Sequence, residues 1–385
     1  MRNASCGRVA AEQQGDDEDQ DPDAAAAAGD DRSADAATQP AAPAVTDLRR
    51  VEAGVRIEGH VVTQRRTRAT ARWDRCRADT AGMWDRGIGL GQELGLEPAD
   101  RDAAVAHARL RGYNSAWTNA RATRDPFDAC ARWTRDGMSA GISVVPLDSW
   151  DPDVLARVTT ETAARTSGFV LGVGSGQAGK GALDLVRRGI GELRRRAPEV
   201  PVYIGALGPR MLELAGELAD GAALNWCSAE RVRWSRERVA AGARRVGRDP
   251  GAVRIIEYIR VCVDDDVEAA RASLATAMLG YALAGPRRPK DRGYRLHFTA
   301  MGFDPLLTEL EARRERGERL EVLARSVPPE LLRTVGASGD AAEAASAFES
   351  LGAGLDLPIA RVVASRDPRI SAAAVIDACS TGRSR

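Results

Sequence analysis

Two glycine-rich turns lie on successive β/α units of the sequence, at residues 172–176 and 205–209. The first reads Gly-Val-Gly-Ser-Gly and the second Gly-Ala-Leu-Gly-Pro, and each joins a short apolar run to a helical pattern. Glycine lets backbone N–H groups approach a ligand closely, and a helix N-terminus carries partial positive charge. One such turn is weak evidence, whereas two inside a repeating β/α pattern are stronger. The pair therefore predicts a site for a cofactor that carries phosphate.

Other residue types that often do chemistry are sparse. The six cysteines form no CxxC pair and the three histidines form no HxxxH pair. The sequence therefore predicts no metal site, no disulfide framework and no Ser-His triad, and it suits a reducing, cytoplasmic setting. Lys plus Arg and Asp plus Glu both number 55, and this balance gives no electrostatic reason to expect a nucleic-acid or membrane partner. The N-terminus lacks a signal-peptide layout, and no apolar run approaches the roughly 20 residues of a membrane span.

Residues 1–82 differ in composition from the rest of the chain. The segment 15–35 consists mostly of Asp, Glu and Ala, a Pro/Ala patch follows at 40–43, and an Arg/Thr run follows at 64–70. Such composition offers little apolar surface to offset the entropy of folding, so residues 1–82 are predicted to be a disordered leader. Because the ordered pattern begins directly after Met83, we expect Met83 to be the native start of the protein, with an ordered domain over residues 83–385.

From Met83 onward, apolar strands alternate with amphipathic helices. The pattern predicts strands over residues 86–90, 115–117, 139–147, 169–173, 202–204, 222–224, 253–263 and 357–364. Eight β/α units in about 300 residues favour an α/β fold of the (β/α)8 TIM-barrel type, with a charged helical insertion at about 266–335, before strand eight. The alternative is a doubly wound open sheet. A barrel places its site at the C-terminal ends of its strands, where both glycine turns fall.

Several blocks of residues 83–385 resemble one family in the order in which that family carries them. The blocks cover residues 124–127, 141–147, 169–176, 205–211, 215–226 and 247–250. They are similar to the luciferase-like flavin-dependent oxidoreductases, and in particular to the branch that uses the deazaflavin coenzyme F-420 and includes methylenetetrahydromethanopterin reductase. The resemblance implies hydride transfer between coenzyme F-420 and a small organic substrate, in a homodimer.

The resemblance also implies roles for residues around the two turns. A non-prolyl cis peptide between Ser143 and Val144 would back the cofactor ring. The turn that contains Gly174, Ser175 and Gly176 would lie against the ring or the ribityl chain. The phosphate would be cradled by backbone N–H groups of the second turn, which is made of Gly205, Ala206, Leu207, Gly208 and Pro209.

The sequence departs from the family where many relatives carry an acidic residue followed by histidine. The matching positions here are Ala120 and Arg121. Arg121 could hold an anionic or carbonyl-bearing substrate, or it could be a surface loop arginine. Asn225, at the end of strand six, could hydrogen-bond a substrate or phosphate, whereas Cys227 has no histidine next to it in the sequence and is expected to pack. Glu257 is a buried acid with a raised pKa if it points into the barrel, or the partner of a helix arginine if it points outward.

Two alternatives to the F-420 oxidoreductase stay open at this point. One is a luciferase-type monooxygenase that uses FMN and a partner reductase. The other is a homologue that binds the deazaflavin without turnover, and its support is the missing acid-histidine pair.

Overall fold

The computed structural model describes residues 86–120, 123–134, 138–166, 168–285 and 289–380. The predicted leader, the predicted start at Met83 and the candidate Arg121 lie outside these residues. The strands are β1 (Gly87–Gly89), β2 (Ser115–Thr118), β3 (Ser139–Pro146), β4 (Phe169–Gly174), β5 (Val202–Gly205), β6 (Gly221–Asn225), β7 (Arg254–Val263), β8 (Gly336–Gly339) and β9 (Leu357–Val362). The helices are α1 (Pro98–Leu110), α2 (Asp125–Trp133), α3 (Pro152–Ala164), α4 (Ala182–Arg196), α5 (Pro209–Leu218), α6 (Ala229–Arg245), α7 (Val267–Ala282), α8 (Gly293–Thr299), α9 (Asp304–Glu315), α10 (Leu320–Ala324), α11 (Pro329–Leu332), α12 (Ala341–Gly352) and α13 (Pro368–Ala378).

Eight of the strands form a closed parallel barrel. Strands β1 to β7 pair in chain order, β9 pairs with β7, and β9 returns to β1. Continuous apolar strands of this kind are covered on both faces, here by side chains inside the barrel and by helices outside it. The closure confirms the predicted (β/α)8 barrel and excludes the open sheet.

Strand β8 is an additional strand that the sequence did not predict. Its four residues pair with Arg260–Val263 of β7, beyond the stretch 254–258 that pairs with β6. Residues 256–261 of β7 pair with β9, so β6 and β8 share the opposite edge of β7. The sequence Gly-Ala-Ser-Gly carries no apolar alternation, which is why the pattern gave no strand there.

The side chains of β7 and β9 alternate between the barrel interior and the helix layer. Ile256 and Tyr258 join an inner apolar cluster with Leu357 and Ile359, whereas their neighbours on the strands pack outward. The same period of two continues to the C-terminal ends, where Arg260 and Arg361 are Cα partners on the inner face. The barrel mouth therefore receives two arginines from adjacent strands.

The segment between β7 and β8 forms the predicted insertion, which comprises α7 to α11. Its apolar cluster contains Phe298, Phe303 and Leu307, and it extends to Trp226 and Cys262 of the barrel. The insertion thus packs against the barrel at the ends of β6 and β7.

Side chains cap several helix starts. Asp151, Ser228 and Asp367 accept backbone N–H groups as N-caps of α3, α6 and α13. Asp125 is the first residue of α2 rather than its N-cap, and its carboxylate pairs with Arg101 at 3.0 Å. Among the helices in the described ranges, none combines the length and apolar character needed to cross a membrane.

Candidate active site

A bulge in β3 marks the wall of the barrel mouth. The register between β3 and β4 shifts between Ile142 and Val145, and the Ser143–Val144 peptide bond is cis, which confirms the bond that the family resemblance implied. The half-buried Val144 side chain lies against the inner apolar cluster. The bulge presents Val144 at the C-terminal ends of the strands, where the predicted cofactor ring would lie.

Three glycines make room for this bulge. A Cβ on Gly172 would lie 2.7 Å from the Ile142 carbonyl oxygen, and a Cβ on Gly174 or Gly205 would lie 3.0 Å from a methyl group of Val144. From the sequence, glycine here was expected to let a ligand approach the backbone. In the structure, the lack of a side chain at these three positions leaves space for the bulged residues of β3. Contact between these glycines and a cofactor stays a prediction.

The first glycine turn holds a carboxylate of the protein itself. Gln177 donates its backbone N–H to Oδ2 of Asp148 at 2.6 Å, and a Cβ on Gly176 would lie only 1.8 Å from Oδ1 of the same side chain. Gly176 has a positive φ of 63°, a conformation that glycine adopts without steric cost. This turn therefore binds an anionic group, as its composition indicated, but the group is Asp148. A role for Ser175 in cofactor binding stays a prediction.

The second glycine turn leads into a helix start with no side-chain cap. Gly208 is the N-cap of α5, and no side chain caps this helix start. A Cβ built on Gly208 would meet nothing within 4 Å. Ala206 donates its N–H to the Ala223 carbonyl oxygen at 3.1 Å, so that amide is engaged within the barrel. Pro209 begins the helix and has no N–H to donate. The open N-terminus of α5 can accept an anionic group.

Arg231 brings positive charge to this second turn. Its Nη2 donates to the Leu207 carbonyl oxygen at 3.0 Å, and its guanidinium lies 3.6 Å from the centre of the Trp234 ring. Burial lowers the pKa of Arg231, although arginine keeps its proton throughout the physiological range. The exposed Arg210 occupies the first turn of α5.

Arg361 is the centre of a polar network on one side of the mouth. Its Nη2 donates to Oε1 of Glu93 at 2.6 Å and to Oδ1 of Asn119 at 3.1 Å. Burial acts to raise the pKa of Glu93, but Arg361 and the hydrogen bonds outweigh it and bring that pKa to about 2. A Cβ on Gly91 would lie 1.8 Å from Nη2 of Arg361, so this glycine allows the ion pair to form.

Arg260 is the centre of a second network, which contains the predicted site residue Asn225. Asn225 accepts a hydrogen bond from Nη1 of Arg260 and donates from Nδ2 to the Tyr294 hydroxyl at 2.6 Å. Nη2 of Arg260 donates to the Tyr281 hydroxyl at 3.2 Å. The guanidinium also lies 4.8 Å from the centre of the Trp226 ring. Asn225 thus links β6, β7 and the insertion at the mouth.

Arg260 and Arg361 were not among the site residues predicted from the sequence. A signal was present, because Ile256, Tyr258 and Arg260 recur at a period of two on a strand that is otherwise apolar. A charged residue on the inner face at the C-terminal end of a barrel strand indicates the site.

Glu257 points away from the mouth, into the layer between the barrel and its helices. Oε1 accepts the Cys227 N–H at 2.7 Å, and the side chain is fully enclosed with Oε2 unpartnered. Glu257 thus points outward from the barrel, which is one of the two orientations that the sequence left open. Its partner is a backbone amide and not the expected helix arginine, because the loop before α6 covers this side chain. Burial raises the pKa of Glu257 to about 8, although the Cys227 amide and Arg260 act to lower it.

Cys227 packs in the core as expected, but a histidine does lie beside it in space. His297 of the insertion places Nε2 at 3.8 Å from Sγ of Cys227 and 2.9 Å from the Trp226 carbonyl oxygen. Burial raises the pKa of the thiol well above its usual value and lowers the pKa of His297 to about 4, so both groups are neutral near pH 7. In the described ranges, no group of three or more His, Cys, Asp or Glu side chains is arranged to hold a metal ion.

Sequence and structure comparisons agree with this architecture. The model of the family described as luciferase-like monooxygenase matches residues 184–354. The 5,10-methylenetetrahydromethanopterin reductase of Methanolobus tindarius is 34% identical over 137 residues, which are 36% of this chain and 40% of that protein. The same-named protein of Archaeoglobus fulgidus is 35% identical over 86 residues, which are 22% of this chain and 26% of that protein. The chain therefore matches less than half the length of either relative.

Two solved structures show the same fold. A coenzyme F-420-dependent tetrahydromethanopterin reductase from Methanopyrus kandleri has a TM-score of 0.61 at 14% identity, over 77% of this chain and 98% of its own. An F-420-dependent secondary alcohol dehydrogenase has a TM-score of 0.57 at 17% identity, over 77% of this chain and 99% of its own. The family model covers 171 of the 385 residues, and the two solved structures share the closed barrel, so the chain is similar to the luciferase-like family over part of its length and has the same fold.

Proposed function

We propose that the protein is an oxidoreductase that transfers hydride between coenzyme F-420 and an organic substrate. The observation that carries the proposal is the 34% identity over 137 residues to the Methanolobus reductase. The similarly folded structures of F-420-dependent enzymes are consistent with it. The residues of the mouth support it chemically, since the barrel offers an uncapped helix start after β5 and an apolar bulge at Val144.

The residues present suit a phosphate-bearing deazaflavin. The N-terminus of α5, with Gly208 as an open N-cap and Arg231 beside it, would hold the phosphate. Val144 on the β3 bulge would lie behind the ring, and Ser175 would lie next to it. When bound, the deazaflavin supplies the ring carbon that accepts or donates hydride.

The protein side of the reaction is binding, orientation and exclusion of water. Cys227 is buried in its thiol form and faces the helix layer, so it is not placed to act as a nucleophile. Arg260, Arg361 and Asn225 are the polar side chains of the mouth, and they would orient the substrate. Helices α7 and α8 contact this group through Tyr281 and Tyr294, so the insertion would cover a substrate bound there.

The second candidate function is an FMN-dependent monooxygenase. The description of the matching family model favours it, as does the fold of an EDTA monooxygenase from Chelativorans sp. BNC1, with a TM-score of 0.52 at 12% identity. The family resemblance also implies a homodimer, and sedimentation of the protein in analytical ultracentrifugation would test this oligomeric state.

Titration of the full chain with coenzyme F-420 and, separately, with FMN tests the proposal. We expect saturable micromolar binding of F-420 and little response to FMN, followed by hydride transfer in a substrate screen. Preference for FMN, with oxygen consumption when the flavin is reduced, would move the protein to the monooxygenase function. Tight F-420 binding with no turnover across a broad screen would instead support a non-catalytic deazaflavin-binding protein.

A pair of substitutions at Gly208 tests the proposed phosphate site. Asp and Asn are both good N-caps, and Gly208 has a φ of −91° and open space around its Cβ position, so both G208D and G208N are expected to fold. The carboxylate of G208D would occupy and repel the phosphate site, and we expect it to weaken F-420 binding at least about tenfold, which is about 1.4 kcal/mol. G208N adds the cap without the charge. Equal binding by the two variants would exclude the N-terminus of α5 as the phosphate site.

A further inference from the structure

Two buried arginines stand side by side in the barrel mouth. Arg260 on β7 and Arg361 on β9 are Cα partners, and neighbouring strands lie only about 4.8 Å apart. The two residues are 5% and 2% exposed. Two cations that project from paired positions into a site away from water repel each other, so the arrangement favours negative charge nearby.

The described residues supply only part of that negative charge. Arg361 forms an ion pair with Glu93, whereas Arg260 forms none with a carboxylate in the described part of the chain. The other buried arginines of these ranges each have an acidic partner: Arg86 pairs with Glu349, Arg101 pairs with Asp125, and Arg295 pairs with Glu311. Arg260 is therefore the exception among them.

The partners of Arg260 satisfy its N–H groups but leave its charge in place. They are an amide oxygen of Asn225, the Tyr258 carbonyl oxygen and the Tyr281 hydroxyl, all of which are neutral. The rings of Trp226 and Tyr281, at 4.8 and 5.1 Å, stabilise the cation without neutralising it. Arg260 thus holds a cation without an anionic partner at the C-terminal end of a barrel strand, where a barrel binds its substrate.

Arg361 adds an unused donor to the same site. Its Nε and Nη2 donate to Glu93, but Nη1 is buried and has no hydrogen-bond partner. A buried donor of a charged group without an acceptor is costly, and an oxyanion would supply one. The guanidinium lies 4.7 Å from the centre of the Tyr258 ring, whose hydroxyl is fixed by a 2.7 Å hydrogen bond to Thr118. The arginine is held in place independently of any ligand.

We propose that Arg260 and Arg361 form an oxyanion subsite, which binds a carboxylate or phosphate group of the substrate. Guanidinium groups match both anions through paired N–H donors, and the absence of a second carboxylate beside Arg260 leaves the charge for the ligand. The assignment of this anion to a substrate depends on the proposed function, whereas anion binding by the arginine pair does not.

Calorimetric titration of the full chain at low ionic strength tests the subsite, with acetate, inorganic phosphate and neutral acetamide as probes. We expect saturable binding of acetate or phosphate and none of acetamide. The anion that binds with the higher affinity identifies the group that the subsite recognises.

R260Q and R361Q should each weaken anion binding by about 10- to 100-fold, and R260K should recover part of the loss because it restores the charge. R86Q is the matched control, since Arg86 is a buried arginine at the N-terminal end of β1, and it should bind the anions like the wild type. Thermal unfolding of every variant verifies that it is folded.

The same titration in the presence of saturating F-420 separates the subsite from the proposed function. Anion affinity that persists with the cofactor bound supports a substrate subsite. Competition between F-420 and the anion would overturn it, because the arginines would then hold the cofactor's own anionic groups. If F-420 does not bind while anion binding still depends on Arg260 and Arg361, the proposed function fails and the oxyanion subsite stands. Weak anion binding that is equal in the wild type, R260Q and R361Q would be an adventitious ion only, and it would overturn the subsite.

Discussion

Glu257 shows how burial sets the charge of a single carboxyl group in this protein. Its pKa is raised to about 8, whereas a glutamate in an unfolded chain titrates at about 4.3. Between those two values the folded protein retains a proton that the unfolded chain has lost. The resulting stability is fully present below the unfolded pKa and is lost as the pH rises through about 8.

We therefore expect E257Q to remove a pH dependence of stability. Glutamine keeps an oxygen that can accept the Cys227 N–H, and it carries no charge at any pH. The wild type should lose stability relative to E257Q by up to about 1.4 kcal/mol per pH unit between pH 5 and 8. Chemical denaturation of both proteins at several pH values in this range measures the difference.

Glu311 gives the control of opposite sign. Burial acts to raise its pKa, but the hydrogen bonds from Arg295 and from the Ala284 amide outweigh burial and lower it. Its stabilising effect is present above its unfolded pKa and is lost only as the pH falls toward the lowered folded value. E311Q should accordingly lower stability throughout pH 5 to 8 without flattening the profile. Parallel wild-type and E257Q profiles would contradict the raised pKa of Glu257.

Individual site residues were only partly predictable from the sequence. The position of Asn225 at the end of a barrel strand predicted its place in the mouth, and the structure puts it there. The contact of Cys227 with His297 joins residues 70 positions apart, through an insertion whose fold the sequence pattern did not define. Arg260 has a local signal in the period of two along β7, but it becomes a neighbour of Arg361 only when β7 pairs with β9, so the pairing of the two arginines has no local signal.

At the scale of elements, the crossing of α5 and α6 depends on two glycines. A Cβ on Gly216 would lie 2.0 Å from the Val239 carbonyl oxygen, and a Cβ on Gly242 would lie 2.0 Å from the Glu213 carbonyl oxygen. Both obstacles are backbone atoms, which cannot rotate away as a side chain can. The two helices therefore approach at a distance that only glycine permits.

Replacement of either glycine should destabilise the protein. We expect G216A and G242A each to lower the free energy of unfolding by about 1–3 kcal/mol, because the helices must move apart. G191A is the matched control in α4, where a Cβ meets nothing within 4 Å, and it should raise stability by about 0.5–1 kcal/mol through helix propensity. Urea denaturation of the three variants measures these changes. A gain of stability in G216A similar to that in G191A would show that the crossing is not tight.

Elements were predictable from the sequence to the extent that their signals were local. Long apolar runs such as residues 254–263 specified the barrel strands, and the amphipathic patterns between them indicated the helices. The four-residue β8 has no such signal and forms because β7 extends beyond the end of β6. The glycines at the ends of β4 and β5 were recognised, but their packing against Val144 depends on a bulge in another strand.

At the scale of the whole molecule, the repeated β/α units predicted a closed barrel but not how the insertion meets it. The insertion has its own apolar cluster, which includes Trp226 and Cys262 of the barrel. Its polar contacts with the mouth include Tyr281 to Arg260 and Tyr294 to Asn225. These contacts couple the cover of the site to the residues that would orient a substrate.

Tyr294 provides a test of this coupling between the insertion and the barrel. Y294F removes the acceptor of the 2.6 Å hydrogen bond from Nδ2 of Asn225, and it leaves that donor unpaired at a cost of about 1–3 kcal/mol. Because Tyr294 belongs to α8, we expect faster amide hydrogen exchange in α8, with little change in β2 to β4, measured by mass spectrometry. Y113F is the control, since it removes the hydrogen bond from the buried Tyr113 hydroxyl to the Ile376 carbonyl oxygen of α13, and it should leave exchange in α8 unchanged. If exchange in Y294F became faster in α8 and in all barrel strands together, the insertion and the barrel would open as one cooperative unit. The insertion could then not uncover the site while the barrel stays folded.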